Sequence, residues 1–286
     1  MSTVDHAPAL PHSAADMASR AAAENFPVAS WFIAPELRPA VQLYYAFARA
    51  ADDVADSPSL SVDQKLQLLD RLDSGLAGGA EPIGRRLGEV LSTRRIDASC
   101  ATDLLVAFRA DARNEGIETL ADLDDYCRHS AVPVGRFLLA VHGEPSDNPA
   151  SDALAAALQI LNHVQDLRDD VETLGRCYVP RRWLAAAGLT TDTLARDVIG
   201  RRNVTALLVR HAERHLSLGA TLPARVADRR LAAQSAAIVA LAQKLSERLR
   251  DADPWPTRIT LRRRDWIGAL GQGVMRFVAG PGHARV

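Results

Sequence analysis

Gln159-Ile160-Leu161-Asn162-His163-Val164-Gln165-Asp166-Leu167-Arg168-Asp169-Asp170 is the stretch that decides how this chain is read. Gln159, Asn162, Asp166 and Asp170 are spaced three, four and four residues apart, so a helix lines them along one side. A strand would scatter them over both faces. One helical face thus carries two amides and two carboxylates.

The arrangement recurs in Tyr44-Tyr45-Ala46-Phe47-Ala48-Arg49-Ala50-Ala51-Asp52-Asp53-Val54-Ala55-Asp56, where Tyr45, Arg49, Asp52 and Asp56 form a second stripe. Both acidic runs close their helices, stopped by Ser57-Pro58 and by Gly175, where the negative end of the helix dipole opposes anions. Like charges one turn apart cost a further ~0.2–0.5 kcal/mol per pair. Taken singly, either run is explained by a solvated surface. Two runs at unfavourable helix ends point instead to a divalent cation. Mg²⁺ typically takes one or two carboxylates and fills its remaining positions with water and phosphate oxygens. Two facing stripes would clamp a diphosphate, with Asn162 as a neutral oxygen ligand and Arg49 and Arg176 matched to phosphate oxygens.

Outward from these stripes, apolar residues recur at helical spacing and sustained period-two alternation is absent, so the chain reads as all-α, a single large helical bundle. Helices are expected at about 36–56, 100–114, 119–141, 152–173, 203–219 and 228–250. Gly78-Gly79 through Pro82, Gly143 through Pro149, Gly188 and Asp253-Pro254-Trp255-Pro256 break them. None is long enough to be a domain linker. The expected organisation is a disordered segment over 1–23 and one domain over 24–286.

Net charge of −1 over 286 residues gives no basic field for nucleic acid. Cys100, Cys127 and Cys177 lack the spacing of a disulfide framework or zinc site, which suits a reducing cytoplasm. The N-terminus has no basic start or long apolar run, so no signal peptide is expected. No stretch approaches the ~20 apolar residues of a membrane span. A di-iron bundle would need Glu-x-x-His, and His163 lies off the aspartate stripe and follows no such Glu. The P-loop, His-Glu-x-x-His and Gly-x-Ser-x-Gly motifs are all missing.

At these residues the chain resembles the squalene/phytoene synthase family. Asp52-x-x-x-Asp56, preceded by Tyr45 and Arg49, is similar to its first aspartate motif, and Gln159-x-x-Asn162-x-x-x-Asp166-x-x-x-Asp170 to its second. Arg176-Cys177-Tyr178-Val179-Pro180 resembles the Arg-x-Tyr-x-Pro segment that follows. Tyr126 through Gly135 is similar to a stretch where small residues bend a helix beside the substrate channel, although a kink alone would explain it. Asp111 falls where the family places an acid, but is read first as a helix-surface residue.

The resemblance implies a class I isoprenoid synthase fold and a Mg²⁺-dependent enzyme acting on isoprenyl diphosphates. Asp52, Asp56, Asn162, Asp166 and Asp170 become candidate metal ligands. Asp52, Asp56, Asp166, Asp170 and Tyr178 are the candidate catalytic residues, and Tyr45, Arg49, Gln159 and Arg176 the candidate substrate-binding ones. Within the family the resemblance is nearest to bacterial hydroxysqualene synthases of hopanoid biosynthesis, on Glu24 through Ser30, Ala51 through Asp56, and Tyr126-Cys127-Arg128 with Pro133-Val134-Gly135-Arg136. That branch, a carbon–oxygen lyase activity, ionises presqualene diphosphate and captures water. Ala22-Ala23-Glu24-Asn25-Phe26 replaces the cationic entry of many condensing members with an acid, which suits one diphosphate substrate over two. A presqualene diphosphate or phytoene synthase, and a non-catalytic helical partner subunit, remain the alternatives. Contact with neighbouring pathway enzymes also stays open. Arg262-Arg263-Arg264-Asp265-Trp266-Ile267 through Val278 either packs on its own bundle or rests on the inner face of an anionic membrane.

Overall fold

The computed structural model describes residues 32–280, so the Glu24–Ser30 resemblance and the Ala22–Phe26 departure lie outside the described residues. Among those described, there are helices and no strands. The first, α1 (Arg38–Asp56), buries Val41, Tyr44, Phe47, Ala51 and Val54 and leaves its aspartates on the other side. The Tyr44 ring stacks on Phe137 at 4.0 Å, and its hydroxyl donates to the Cys100 carbonyl at 2.6 Å. Tyr44 is thereby a core anchor, and its neighbour Tyr45 falls a helical step around, half-buried.

Helices α2 (Val62–Leu76) and α3 (Pro82–Arg94) form a hairpin against α1. Ser61 and Gln64 close a reciprocal cap at the start of α2, while Pro82 opens α3 because Glu81 accepts from the Gly84 amide. The breaker at Gly78–Pro82 is thus a turn between two helices. Next, α4 (Ser99–Ala112) packs on α1 and α2.

The expected helix over 119–141 is two helices, α5 (Leu120–Ser130) and α6 (Val132–Val141), broken at Ala131 with φ −127°. Pro133 sits in the first turn of α6, where its missing amide hydrogen costs nothing. The expected helix over 152–173 is also interrupted. Helix α7 (Pro149–Gln165) stops before Asp166, a short turn spans Leu167–Asp169, and a widened π-helical turn covers Asp170–Leu174. Gly175, at φ 66°, ends it in the left-handed region that glycine enters freely.

After the short α8 (Arg181–Ala186), the remaining long helices are α9 (Val198–Gly219), α10 (Arg229–Leu249) and α11 (Arg263–Ala279). α7 packs chiefly on α9, and α10 on α11. Gly219 makes the first contact possible: a Cβ there would lie 2.8 Å from the Leu154 Cα.

The buried apolar residues fall into two main clusters. One joins α1 to α4 with Phe137 and Val141 of α6. The other joins α5, α7, α8, α9 and α10. Each fully buried Leu, Phe or Ile in them contributes ~1.5–3 kcal/mol. Bundles place their polar sites between such facing sets of helices, and the seam between the clusters carries the aspartates.

Candidate functional site

The first stripe ends where α1 ends. Arg49 donates to Asp52 at 2.7 Å and lies 3.3 Å from Asp53, so the guanidinium is already engaged by α1's own acids. Burial, then the charge of Asp56, pushes the Asp52 carboxyl up to about 7, with Arg49 opposing. A carboxyl in that state is partly protonated near neutral pH. Two cations reach this helix end, one of them missed in the sequence. Lys65 of α2 donates to the Ala55 carbonyl at 2.8 Å. Arg176, expected from the sequence, donates to the same carbonyl at 2.8 Å and to Asp56 at 2.5 Å.

The second stripe survives the interruption of its helix. The Asp166 amide still donates to the Asn162 carbonyl at 2.9 Å, and the Asp170 amide to the Asp166 carbonyl at 2.8 Å, so the four-residue rhythm continues through the break. π-Helical turns concentrate at functional sites, where the extra residue re-aims side chains. The Asn162 side-chain oxygen is buried and accepts no hydrogen bond among the described residues. A buried acceptor left so costs ~1–3 kcal/mol, which a ligand would recover. Asp166 and Asp170 follow it at helical spacing, so the donor set along this face is all hard oxygen, fitting Mg²⁺.

Asp170 is raised by burial, with His163 opposing and the charges of Asp166 and Asp56 adding to the rise. Asp56 belongs to the other stripe, so the two stripes feel one another across the seam. His163 lies 3.8 Å from Asp170 through Nδ1 and 3.2 Å from the Gln159 amide nitrogen through Nε2. With the amide donating, Nε2 accepts and Nδ1 carries the hydrogen toward Asp170, an assignment made from the partners. The expected substrate-binding Gln159 is therefore held by His163.

Asp111 is a correction to the sequence reading. It is buried at 8% exposure, not on a helix surface, and accepts from Tyr178 at 2.8 Å and from Tyr126 at 2.9 Å. Burial raises its pKa, and Arg176 and the two hydroxyls oppose this. The Tyr178 ring also stacks on His163 at 3.7 Å. Asp111, Tyr126, Tyr178 and His163 form one connected group in the seam between the aspartate stripes.

Arg258 is the other residue that sequence reasoning passed over. It lies 92 residues from Asp166 and donates to it through Nε at 2.5 Å and a terminal nitrogen at 3.3 Å. The loop carrying it is pinned from both sides. Buried Arg201 of α9 takes Asp253 at 2.8 Å, and its guanidinium lies 5.1 Å from the Trp255 ring centroid. The side-chain amide of Gln165 donates to the Ile259 carbonyl. Only Asp253-Pro254-Trp255-Pro256, read as a breaker, hinted at a fixed loop here.

This geometry has relatives. The squalene/phytoene synthase family matches residues 19–265. A hydroxysqualene synthase of Rhodopseudomonas palustris is 39% identical over 91% of this chain and 92% of its own. One from Sinorhizobium fredii is 38% identical over the same shares. Among solved structures, squalene synthase HpnC from Alicyclobacillus acidocaldarius superposes with a TM-score of 0.70 at 32% identity, covering 83% of this chain and 95% of that one. A dehydrosqualene synthase solved with ligand, at 21% identity and TM-score 0.73, shares the fold. Two aspartate stripes across a seam between helical clusters, in a chain matched along nearly its whole length, make this protein an enzyme of the squalene/phytoene synthase family.

Proposed function

We propose that this enzyme ionises presqualene diphosphate in the presence of Mg²⁺ and captures water, releasing hydroxysqualene and diphosphate. The relatives matching nine-tenths of the chain support this substrate. The observation that carries the Mg²⁺ assignment is the buried, unpartnered Asn162 oxygen beside Asp166 and Asp170, across from Asp52 and Asp56.

In this reading Asp52, Asp56, Asn162, Asp166 and Asp170 hold Mg²⁺. Bound there, it acts as a Lewis acid on the diphosphate oxygens. The C–O bond breaks heterolytically, its electron pair leaving with diphosphate. Arg49, Arg176 and Arg258 already stand at the aspartates, and each can turn from carboxylate to phosphate oxygens as the charges rearrange, with Lys65 on the Ala55 carbonyl as a further cation. Tyr45 and Tyr178 supply hydroxyls near the leaving group, while Gln159 steadies His163. Tyr126, Tyr178 and His163 pack on one another as a single aromatic group beside the aspartates, and aromatic rings attract cations. Water adds to the carbocation and loses one proton, completing the alcohol.

Lipid delivery is part of the same reading. No described helix is long and apolar enough to cross a membrane. α11 packs on α10 by Ala269 and Gly273, yet exposes Ile267, Leu270, Val274 and Val278 on its outer side. Exposed Arg263 and Arg264 at its start match an anionic lipid surface. Co-sedimentation with phosphatidylglycerol vesicles, reduced in I267E/V274E, would support this contact; equal sedimentation would remove it.

The deciding assay incubates the purified protein and Mg²⁺ with presqualene diphosphate and, separately, farnesyl diphosphate, followed by mass analysis of extracted lipids. Hydroxysqualene from presqualene diphosphate supports the proposal. Presqualene diphosphate formed from farnesyl diphosphate, with no hydroxysqualene, would replace it with a condensing synthase.

A further inference from the structure

Away from the aspartate seam, α5 and α9 bring three metal-binding groups together. His211 and His215 lie four residues apart on α9, on one face. Their Nε2 atoms are 3.2 Å apart. Asp124 of α5 places its Oδ1 2.6 Å from His211 Nε2 and 3.1 Å from His215 Nε2.

In the metal-free state Arg214 makes His211 Nδ1 an acceptor, so His211 Nε2–H donates to Asp124, and His215 must share the same oxygen. Both imidazoles would have to aim an N–H at the same carboxylate oxygen while their nitrogens crowd each other. A zinc ion ~2.0–2.2 Å from each of the three atoms sits just off their plane and needs little movement of the helices. Two imidazole nitrogens with a carboxylate suit zinc-like ions, whereas the oxygen-only seam suits magnesium.

We propose that Asp124, His211 and His215 form a Zn²⁺-binding site, distinct from the diphosphate site, that clamps α5 to α9. His211 is buried, while Asp124 and His215 are partly exposed, which leaves a fourth position open to water. One group opposes the ion. Arg214 donates to His211 Nδ1 at 3.0 Å, and metal on Nε2 shifts the ring hydrogen to Nδ1, turning that acceptor into a donor. Arg214 is exposed and free to swing into solvent when this happens. The clamp bears on the enzyme's interior, because Tyr126, two residues beyond Asp124, donates to Asp111.

The test uses the full chain, stripped with chelator, loaded with Zn²⁺ and desalted, with metal content measured by mass spectrometry. One zinc per chain is expected in the wild type and in D52N/D166N, with a melting temperature raised by several degrees, as ligand linkage requires. H215Q and D124N should bind Zn²⁺ weaker by about tenfold or more, and R214A should bind it tighter. Co²⁺ in place of zinc should give visible absorption of a four-coordinate site in the wild type and lose it in H215Q. Far-ultraviolet circular dichroism checks that each variant folds; D124N, which removes the more exposed ligand, decides if H215Q does not. No zinc retained after desalting, or retention unchanged in folded D124N, would overturn the site.

Discussion

Arg258 lies across Asp166, with Nε 2.5 Å from one carboxylate oxygen and a terminal nitrogen 3.3 Å from the other. The guanidinium holds the place that the proposed reaction gives to a metal, and it is also a ready cation for diphosphate. R258Q should separate these effects. Freed of an exposed pair worth ~0.2–1 kcal/mol, Asp166 should bind Mg²⁺ alone slightly tighter, by a few-fold. The substrate loses a charge-assisted hydrogen bond worth ~1.5–3 kcal/mol, so KM should rise about tenfold or more. Calorimetric Mg²⁺ titration and steady-state kinetics read the two arms.

D52N and D166N should each lower kcat by about a thousandfold or more, the scale of losing a charge-stabilising group in a reaction of this kind. Both lie at helix ends in the polar seam, outside the two apolar clusters, so the melting temperature should move by only a few degrees. A fully active variant, or one that fails to fold, would count against the assignment.

The raised Asp52 carboxyl makes the metal-free protein sensitive to neutral pH. Its folded pKa, about 7, lies above the ordinary carboxylate value, so the fold binds a proton that the unfolded chain has released. That contribution is complete below about pH 4 and is lost as pH rises through 7. Asp170 and Asp111 are shifted the same way. Asp97 and Asp253, which are lowered, act only in stronger acid. In chelator, melting temperature should fall between pH 5.5 and 8, and D52N should flatten the slope. Asp52 is about a third exposed, so water trims the effect. A melting temperature that rises over this range would contradict the shift.

Asp111 and Tyr178 should show coupled energetics. Removing the buried acceptor strands two tyrosine hydroxyls, at ~1–3 kcal/mol, while Y178F removes one hydrogen bond of ~0.5–1.5 kcal/mol. Urea unfolding of D111A, Y178F and the double variant should give a coupling energy near ~1 kcal/mol.

G219A tests the close approach of α7 and α9. The new Cβ meets the Leu154 backbone nitrogen at 2.9 Å as well as its Cα, so the helices must separate. The expected cost is ~1–3 kcal/mol, read as a lowered melting temperature.

The sequence made the helical class and both aspartate stripes legible, because a four-residue rhythm of acids is a local pattern. α1, α4 and α10 begin and end within a few residues of expectation. What failed was non-local. The hairpin of α2 and α3 was absent from the expected helices, and Gly84 and Gly88 are small in it because the α2 backbone passes within ~3 Å of where their side chains would be. The break at Asp166 has no Gly or Pro to announce it. Asp111 takes its partners from 15 and 67 residues away, and Asp166 takes Arg258 from 92, so no window along the chain displays them. Of the Asp124 cluster, the sequence reading named no member, although His211 and His215 stand four residues apart on one helix face.

The aspartate seam lies where the two main apolar clusters meet, outside the packing of either. The contacts made there are ion pairs and hydroxyl hydrogen bonds, Arg176 to Asp56 and Tyr178 to Asp111, whose polar partners a ligand can replace. A diphosphate headgroup can therefore be taken up and released by exchanging polar partners alone, while the aliphatic frame that holds the seam stays as it is.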